Sequence, residues 1–227
     1  MFGNLKVSSR LTAAFGVVVV LLLIVISLGI SRMAVINEHL HSITDENDPE
    51  ASLAHELRTT AYDIGVTVRD IIIFTDDATL RAKHRQLEEG FQNMDEALEK
   101  LHKMFTEIAS TTATEKELLS KIKSQYALAK VAANRTADLG MVNKNDEATA
   151  ILKAEFVPQN AEVRTLSQQL AQFEEKLNAE AVASATETYR SGRVTMLLLG
   201  ALAAALAVAA AVLVTRKIGR ASCRERV

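Results

Sequence analysis

Two stretches of this chain carry no charged residue: Leu11–Ile30 with 20 residues and Val194–Thr215 with 22. At about 1.5 Å of rise per helical residue, each can cross a hydrocarbon core of roughly 30 Å. A backbone in lipid must satisfy its own polar groups, so each stretch is expected to be a helix. This limits the possible folds more than any motif does. The first stretch has a basic start, and Ser27 and Gly29 are small enough for a cleavage site. Its apolar run is longer than the roughly 7–15 residues of a signal peptide, which favours an uncut anchor. The second is almost pure Leu, Ala and Val from Met196 to Val214.

The 227 residues hold 26 Lys and Arg against 28 Asp and Glu, a net charge of −2. Residues 33–190 contain 17 basic and 27 acidic residues, a net of −10, and the remaining segments contain 9 basic and 1 acidic, a net of +8. An acidic middle between basic ends is a poor partner for nucleic acid. Lys6 and Arg10 precede the first span and Arg216 and Lys217 follow the second, against Arg32, Arg190 and Arg193 on the inner flanks. This bias, though thin, puts the short ends in the cytoplasm and the middle outside it. With no Trp, 9 Gly and 2 Pro, the composition argues against sandwiches, barrels and Gly-rich nucleotide-binding folds. The one cysteine, Cys223, can form neither an intramolecular disulfide nor a cysteine metal site. It lies in Ile218–Val227, IGRASCRERV, which resembles a translated sequencing adapter residue for residue. That tail is set aside as non-native, and the natural sequence is expected to continue past Lys217.

The middle is expected to form four helices. Leu53, Leu57, Ile64, Val68 and Ile71, with Ala61 between them, mark one apolar face of the first. Asp76 and Asp77 suit the start of the second, whose stripe runs Leu87, Phe91, Met94, Leu98, Leu101, Phe105, Ile108 in alternating steps of four and three. Thr114 with Glu117 reads as a capping box for the third helix, which continues through Leu118, Ile122, Tyr126 and Ala129 to Leu139, with Gly140 as its stop. Asn145, Asp146 and Glu147 open the fourth, with the stripe Val163, Leu166, Leu170, Phe173, Leu177, Ala181, Ala185. Pro49 should bend the first helix, and Pro158 should kink or break the fourth. Short connections near 75–78, 110–114 and 140–145 imply an all-α, up-down-up-down antiparallel four-helix bundle flanked by two transmembrane helices.

This layout resembles the N-terminal part of a bacterial methyl-accepting chemotaxis protein with a four-helix-bundle ligand-binding domain. The likeness rests on MFGNLKVSSRLTAAF before the first span, Pro49 after it, VRDIIIF late in the first helix, NDEATAILKAEFVP opening the fourth, and the Thr215-Arg216 exit. It implies a cytoplasmic tail at 1–10, a first span at 11–31, an extracytoplasmic sensor at 32–193, a second span at 194–215 and the start of a HAMP linker at 216–217, before the tail at 218–227. It also implies a two-pass receptor in the bacterial inner membrane, a homodimer through the sensor helices, and control of a chemotaxis kinase and coupling protein through a cytoplasmic region beyond Lys217. The same bundle could instead feed a histidine kinase or a diguanylate cyclase, or serve as a membrane-tethered structural bundle.

No nucleophile–base constellation or phosphate loop is present, so no enzymatic activity and no cofactor are expected. His39, His41, His55, His84 and His102 show no metal spacing. A ligand site is expected toward the membrane-distal end. Arg58, Tyr62 and Arg69 fall within about 40° of one another at 100° per residue, with Gly65 in the same stripe permitting close approach of another helix. Lys153 and Arg164, eleven apart, would share a face of the fourth helix if Pro158 left it undisturbed. Arginine grips carboxylates in bidentate fashion, so a small carboxylate is the expected ligand class. Ordinary solvated surface cations are the competing explanation for these side chains.

Overall fold

A computed structural model describes residues 7–222. Part of the tail at 1–10 and part of the adapter-like segment, Cys223 included, lie outside the described residues. Every described element is helical: α1 (Val7–His41), a π turn (Ser42–Asn47), α2 (Asp48–Ile73), α3 (Asp77–Glu107), α4 (Ala113–Met141), α5 (Asn145–Ile151), a second π turn (Leu152–Phe156) and α6 (Val157–Ser222). The chain divides into two compact units, His41–Glu180 and the segments up to Leu40 and from Ala181 onward.

The first unit is a four-helix bundle of α2, α3, α4 and the α5–α6 arm, reversing direction at 74–76, 108–112 and 142–144. Its core takes Leu57, Ile64, Val68 and Ile71 from α2, and Leu87, Phe91, Met94, Leu98, Leu101 and Phe105 from α3. Ile122, Tyr126 and Ala129 come from α4, with Phe156, Val163, Leu166 and Leu170 from the arm. The expected stripes therefore meet, with one change of phase. Past Leu170 the buried line of α6 runs through Ala171 and Glu174, while Phe173 and Leu177 are only half-buried. A line kept by steps of three and four turns toward 167, 170 and 174, and the larger apolar residues beside it end on its flank.

The ends of the helices follow local chemistry. Asp76 caps α3, its Oδ1 accepting from the Thr79 amide at 2.9 Å. The capping box of α4 is formed by Thr112 and Glu115, not by Thr114 and Glu117. Both pairs fit the same four-residue pattern, and the helix begins at the first of them, leaving Glu117 exposed and paired with Lys121 at 2.6 Å. Gly140 is not the stop either: it lies inside α4, and the positive φ of 57° falls to Asn143. What Gly140 permits is close packing, since a Cβ there would lie 2.9 Å from the Ile71 carbonyl oxygen.

Neither proline breaks its helix. Each follows a π turn in which the residue before it bonds five residues back: Asp48 N–H donates to the Ile43 carbonyl, and Val157 N–H to that of Leu152. A proline ring clashes with the carbonyl four residues back, and one widened turn relieves that clash while the chain stays helical.

In the second unit, α1 and α6 lie side by side. A Cβ on Gly29 would meet Met196 Cε at 3.2 Å, and His39 Nε2 lies 3.2 Å from Ser184 Oγ. Both helices are long and apolar enough to cross a membrane. Their apolar side chains face outward: Leu23, Leu197 and Val208 are all more than half exposed.

Candidate functional site

Two features of the bundle stand out, a cationic groove and a buried knot of carboxylates. The groove lies between α2 and α6, where small residues let the helices approach. Asn160 Nδ2 donates to the Ala61 carbonyl at 2.9 Å, and a Cβ on Gly65 would sit 3.0 Å from the same nitrogen. Beside this contact, Arg58, Thr59 and Tyr62 of α2 and Ala161, Arg164, Thr165 and Gln168 of α6 line a hollow of about 420 Å³. Two guanidinium groups and a phenol face it, and its lining contains no acid. Neither Arg58 nor Arg164 has an ion-pair partner among the described residues, and the Nε of half-buried Arg164 lacks any hydrogen-bond acceptor. An unsatisfied cationic donor costs free energy when desolvated, and an anion supplied from outside would recover it.

Of the five expected ligand residues, the fold brings Arg58, Tyr62 and Arg164 together in this groove. Arg69 turns back on its own helix, its Nη1 donating to the Gly65 carbonyl at 3.0 Å. Lys153 sits exposed in the second π turn and lines no part of the groove. A second hollow of about 370 Å³ between α3 and α4 is lined by Asp95, Glu99, Lys123, Tyr126 and Lys130 among others. Its Lys130 is already engaged, 2.8 Å from Asp95 and 5.1 Å above the Phe91 ring. The Tyr126 hydroxyl donates to the Phe91 carbonyl at 3.3 Å, and burial pushes its phenol pKa above the ordinary range.

The carboxylates lie at the end of the bundle that bears both its chain ends, where the Asn178 side-chain amide donates to Asp48. Glu50 of α2, Glu115 of α4 and Glu174 of α6 are 1%, 2% and 0% exposed, with a carboxylate oxygen of each within 4.8 Å of the others. Glu115 is held by the capping box, its Oε2 accepting from the Thr112 amide. Glu50 Oε1 and both oxygens of Glu174 meet no donor from outside the cluster, and the hydrogen bonds of Glu174 are those it can share, when protonated, with Glu115 and Glu50. Two unit charges 4 Å apart repel by about 4 kcal/mol at an effective dielectric of about 20, and desolvation adds several more. Burial, and after it the charge of Glu115, raises the Glu50 pKa to about 7. Burial first, then Glu115 and Glu50, raises that of Glu174 to about 9. Sequence reasoning looked for metal ligands among histidines and cysteine and missed these three. Their signal was phase: Glu50 continues the line Ala54, Leu57, Ala61; Glu115 continues Leu119, Ile122, Tyr126; and Glu174 follows Val163, Ser167, Leu170.

Residues 4–189 match the family model of a four-helix-bundle sensory module for signal transduction. The chain belongs to that family. No curated protein and no solved structure matches it. The family is one of sensory signalling modules, and two of the described helices are long and apolar enough to cross a membrane.

Proposed function

We propose that this sensory module is the input half of a transmembrane chemoreceptor that binds a small carboxylate in the α2–α6 groove. The observation that carries the reading is the pair of unpaired guanidinium groups, Arg58 and Arg164, sharing one hollow with the Tyr62 hydroxyl. Arg164 and Arg58 would grip the carboxylate, and Tyr62 would orient it. Arg69 and Lys153, on the same two arms of the bundle, would add to the positive potential that draws an anion toward an otherwise acidic domain.

Arg164 belongs to the same element, α6, as the apolar stretch 194–215. A ligand that binds one arrangement of α2 and α6 better than another shifts the balance between them. A displacement of α6 by about 1–2 Å, the scale of interfacial helix shifts, would then be the signal. In this reading the bundle is extracytoplasmic, the spans cross the inner membrane of a bacterium, two copies pair through the sensor helices, and the signal controls a chemotaxis kinase through its coupling protein.

The test is thermal unfolding of the full chain in detergent with acetate, succinate and citrate as probes. A carboxylate present at about 100 times its dissociation constant stabilises the bound fold by roughly 2.7 kcal/mol, a shift of several degrees. Arg164→Ala and Arg58→Ala are expected to remove the shift while leaving the unliganded melting point nearly unchanged. A shift that persists in the double variant would refute the groove as the site.

A further inference from the structure

We propose that Glu50, Glu115 and Glu174 form a binding site for a hard divalent cation, Ca²⁺ or Mn²⁺, which staples α2, α4 and α6 together at one end of the bundle. The inference is independent of the anion groove.

Three observations converge on it. The carboxylates come from three different helices, yet their oxygens lie within 4.8 Å of one another, so one ion can touch all three. All three side chains are buried, and Glu174, with no exposed surface, has no donor to either oxygen from outside the three carboxyl groups. Glu50 likewise holds one oxygen without such a donor. Lastly, no lysine or arginine pairs with any of them among the described residues, although exposed acids elsewhere do find such partners: Asp77 with Arg81 and Glu155 with Arg135. A buried carboxylate is satisfied by a proton, a cationic side chain or a metal ion, and the second is not supplied here.

The donor set selects the ion. Oxygen ligands alone favour hard cations over zinc or copper, which take imidazole or thiolate. Mg²⁺ dehydrates reluctantly and keeps several waters, whereas Ca²⁺ accepts carboxylates in one- or two-oxygen contact with flexible geometry. A cluster with this little solvent exposure suits the ions that shed water more readily. The side chain of Asn178, one turn beyond Glu174, also holds a buried carbonyl oxygen with no partner. The capping box holds the Glu115 carboxylate in place before any ion arrives. Fixed ligands lose less freedom on binding.

The test uses the full chain in detergent, stripped with a chelator and dialysed at mildly alkaline pH, where carboxylates release their protons to a metal. Ca²⁺, Mn²⁺ and Mg²⁺ are then added singly, and bound metal per chain is measured by elemental analysis, with the melting temperature recorded in parallel. One Ca²⁺ or Mn²⁺ per chain and a raised melting temperature are expected, with Mg²⁺ weaker. Glu174→Gln, nearly the same size, should fold with unchanged helical circular dichroism and lose at least about 100-fold in affinity, since even outer-shell changes cost 10–100-fold. Glu175→Gln, next to it but exposed, should leave binding intact. Glu50→Gln is the second ligand variant should Glu174→Gln not fold. A chain that takes up no ion, its carboxyl groups staying protonated, overturns the proposal. So does uptake that survives both ligand substitutions.

Discussion

Glu174 follows Ser167 and Leu170 on the buried line of α6 and ends where a hydrophobic residue would ordinarily be placed. Its pKa of about 9 and the value of about 7 at Glu50 both lie above the ordinary 4.5 of a glutamate. A group whose folded-state pKa is raised binds its proton more tightly in the fold than in the unfolded chain. Its contribution is fully present below about pH 4.5 and is lost as pH rises through 7 toward 9. Without divalent ions, the bundle should therefore melt at progressively lower temperature between about pH 5 and pH 9. Calorimetry in a chelating buffer reads this directly, and Glu174→Gln should flatten most of the slope. An unchanged slope in that variant would place the titrating group elsewhere. At the same scale, the groove shows how far side-chain spacing could be read from the sequence. Arg58 and Tyr62 share a helix face by simple angular arithmetic. That Arg69 bonds back to the Gly65 carbonyl instead of facing the groove depends on a rotamer that no spacing predicts.

Among the elements, α2 and α3 were legible because their apolar residues keep steps of three and four over many turns, and packing needs nothing else. The start of α4 was legible only in kind. Two Thr-x-x-Glu pairs lie two residues apart, and the helix takes Thr112 with Glu115, which also sets Glu115 among the buried carboxylates. Removing the cap by Thr112→Ala should destabilise the bundle by about 1 kcal/mol, measured by chemical unfolding. Thr114→Ala, once inside the helix, should have almost no effect. Equal losses in the two variants would argue against this assignment. The end of α4 misled for a related reason: a glycine near a helix terminus usually supplies the left-handed residue, but Asn143 takes it here, and Gly140 serves contact with Ile71. In α6 the apolar pattern was ambiguous because Phe173 and Leu177 sit beside Glu174, and hydrophobicity alone chooses the wrong neighbour.

At the level of the whole chain, two uncharged stretches and four amphipathic segments were enough to define a helical bundle with two membrane-crossing candidates. Ligand identity was not legible, because a groove is made by residues about a hundred positions apart, such as Arg58 and Arg164. If α6 carries the signal as a rigid rod, several glycines inserted after Ser191 should abolish output from a receptor bearing this module. Carboxylate binding and the melting temperature of the bundle should stay as they were, because the insertion lies beyond the bundle unit ending at Glu180. Both can be followed in one strain, by swimming assay and by unfolding of the purified protein. Output that survives the insertion would show that the signal does not need a continuous helix.

The paired π turns at Ser42–Asn47 and Leu152–Phe156 bear on how such a chain can change in length over evolution. A π turn holds one residue more than the α-helical turn it replaces. A lineage that loses the proline can therefore drop one residue from the same turn and keep every downstream side chain on its original face. Gaining or losing a residue anywhere else along α2 or α6 would rotate the buried line by about 100° and turn the core outward. The two turns are thus the places along these arms where the loss of one residue leaves the buried line in phase, and relatives shorter by one residue should differ there first.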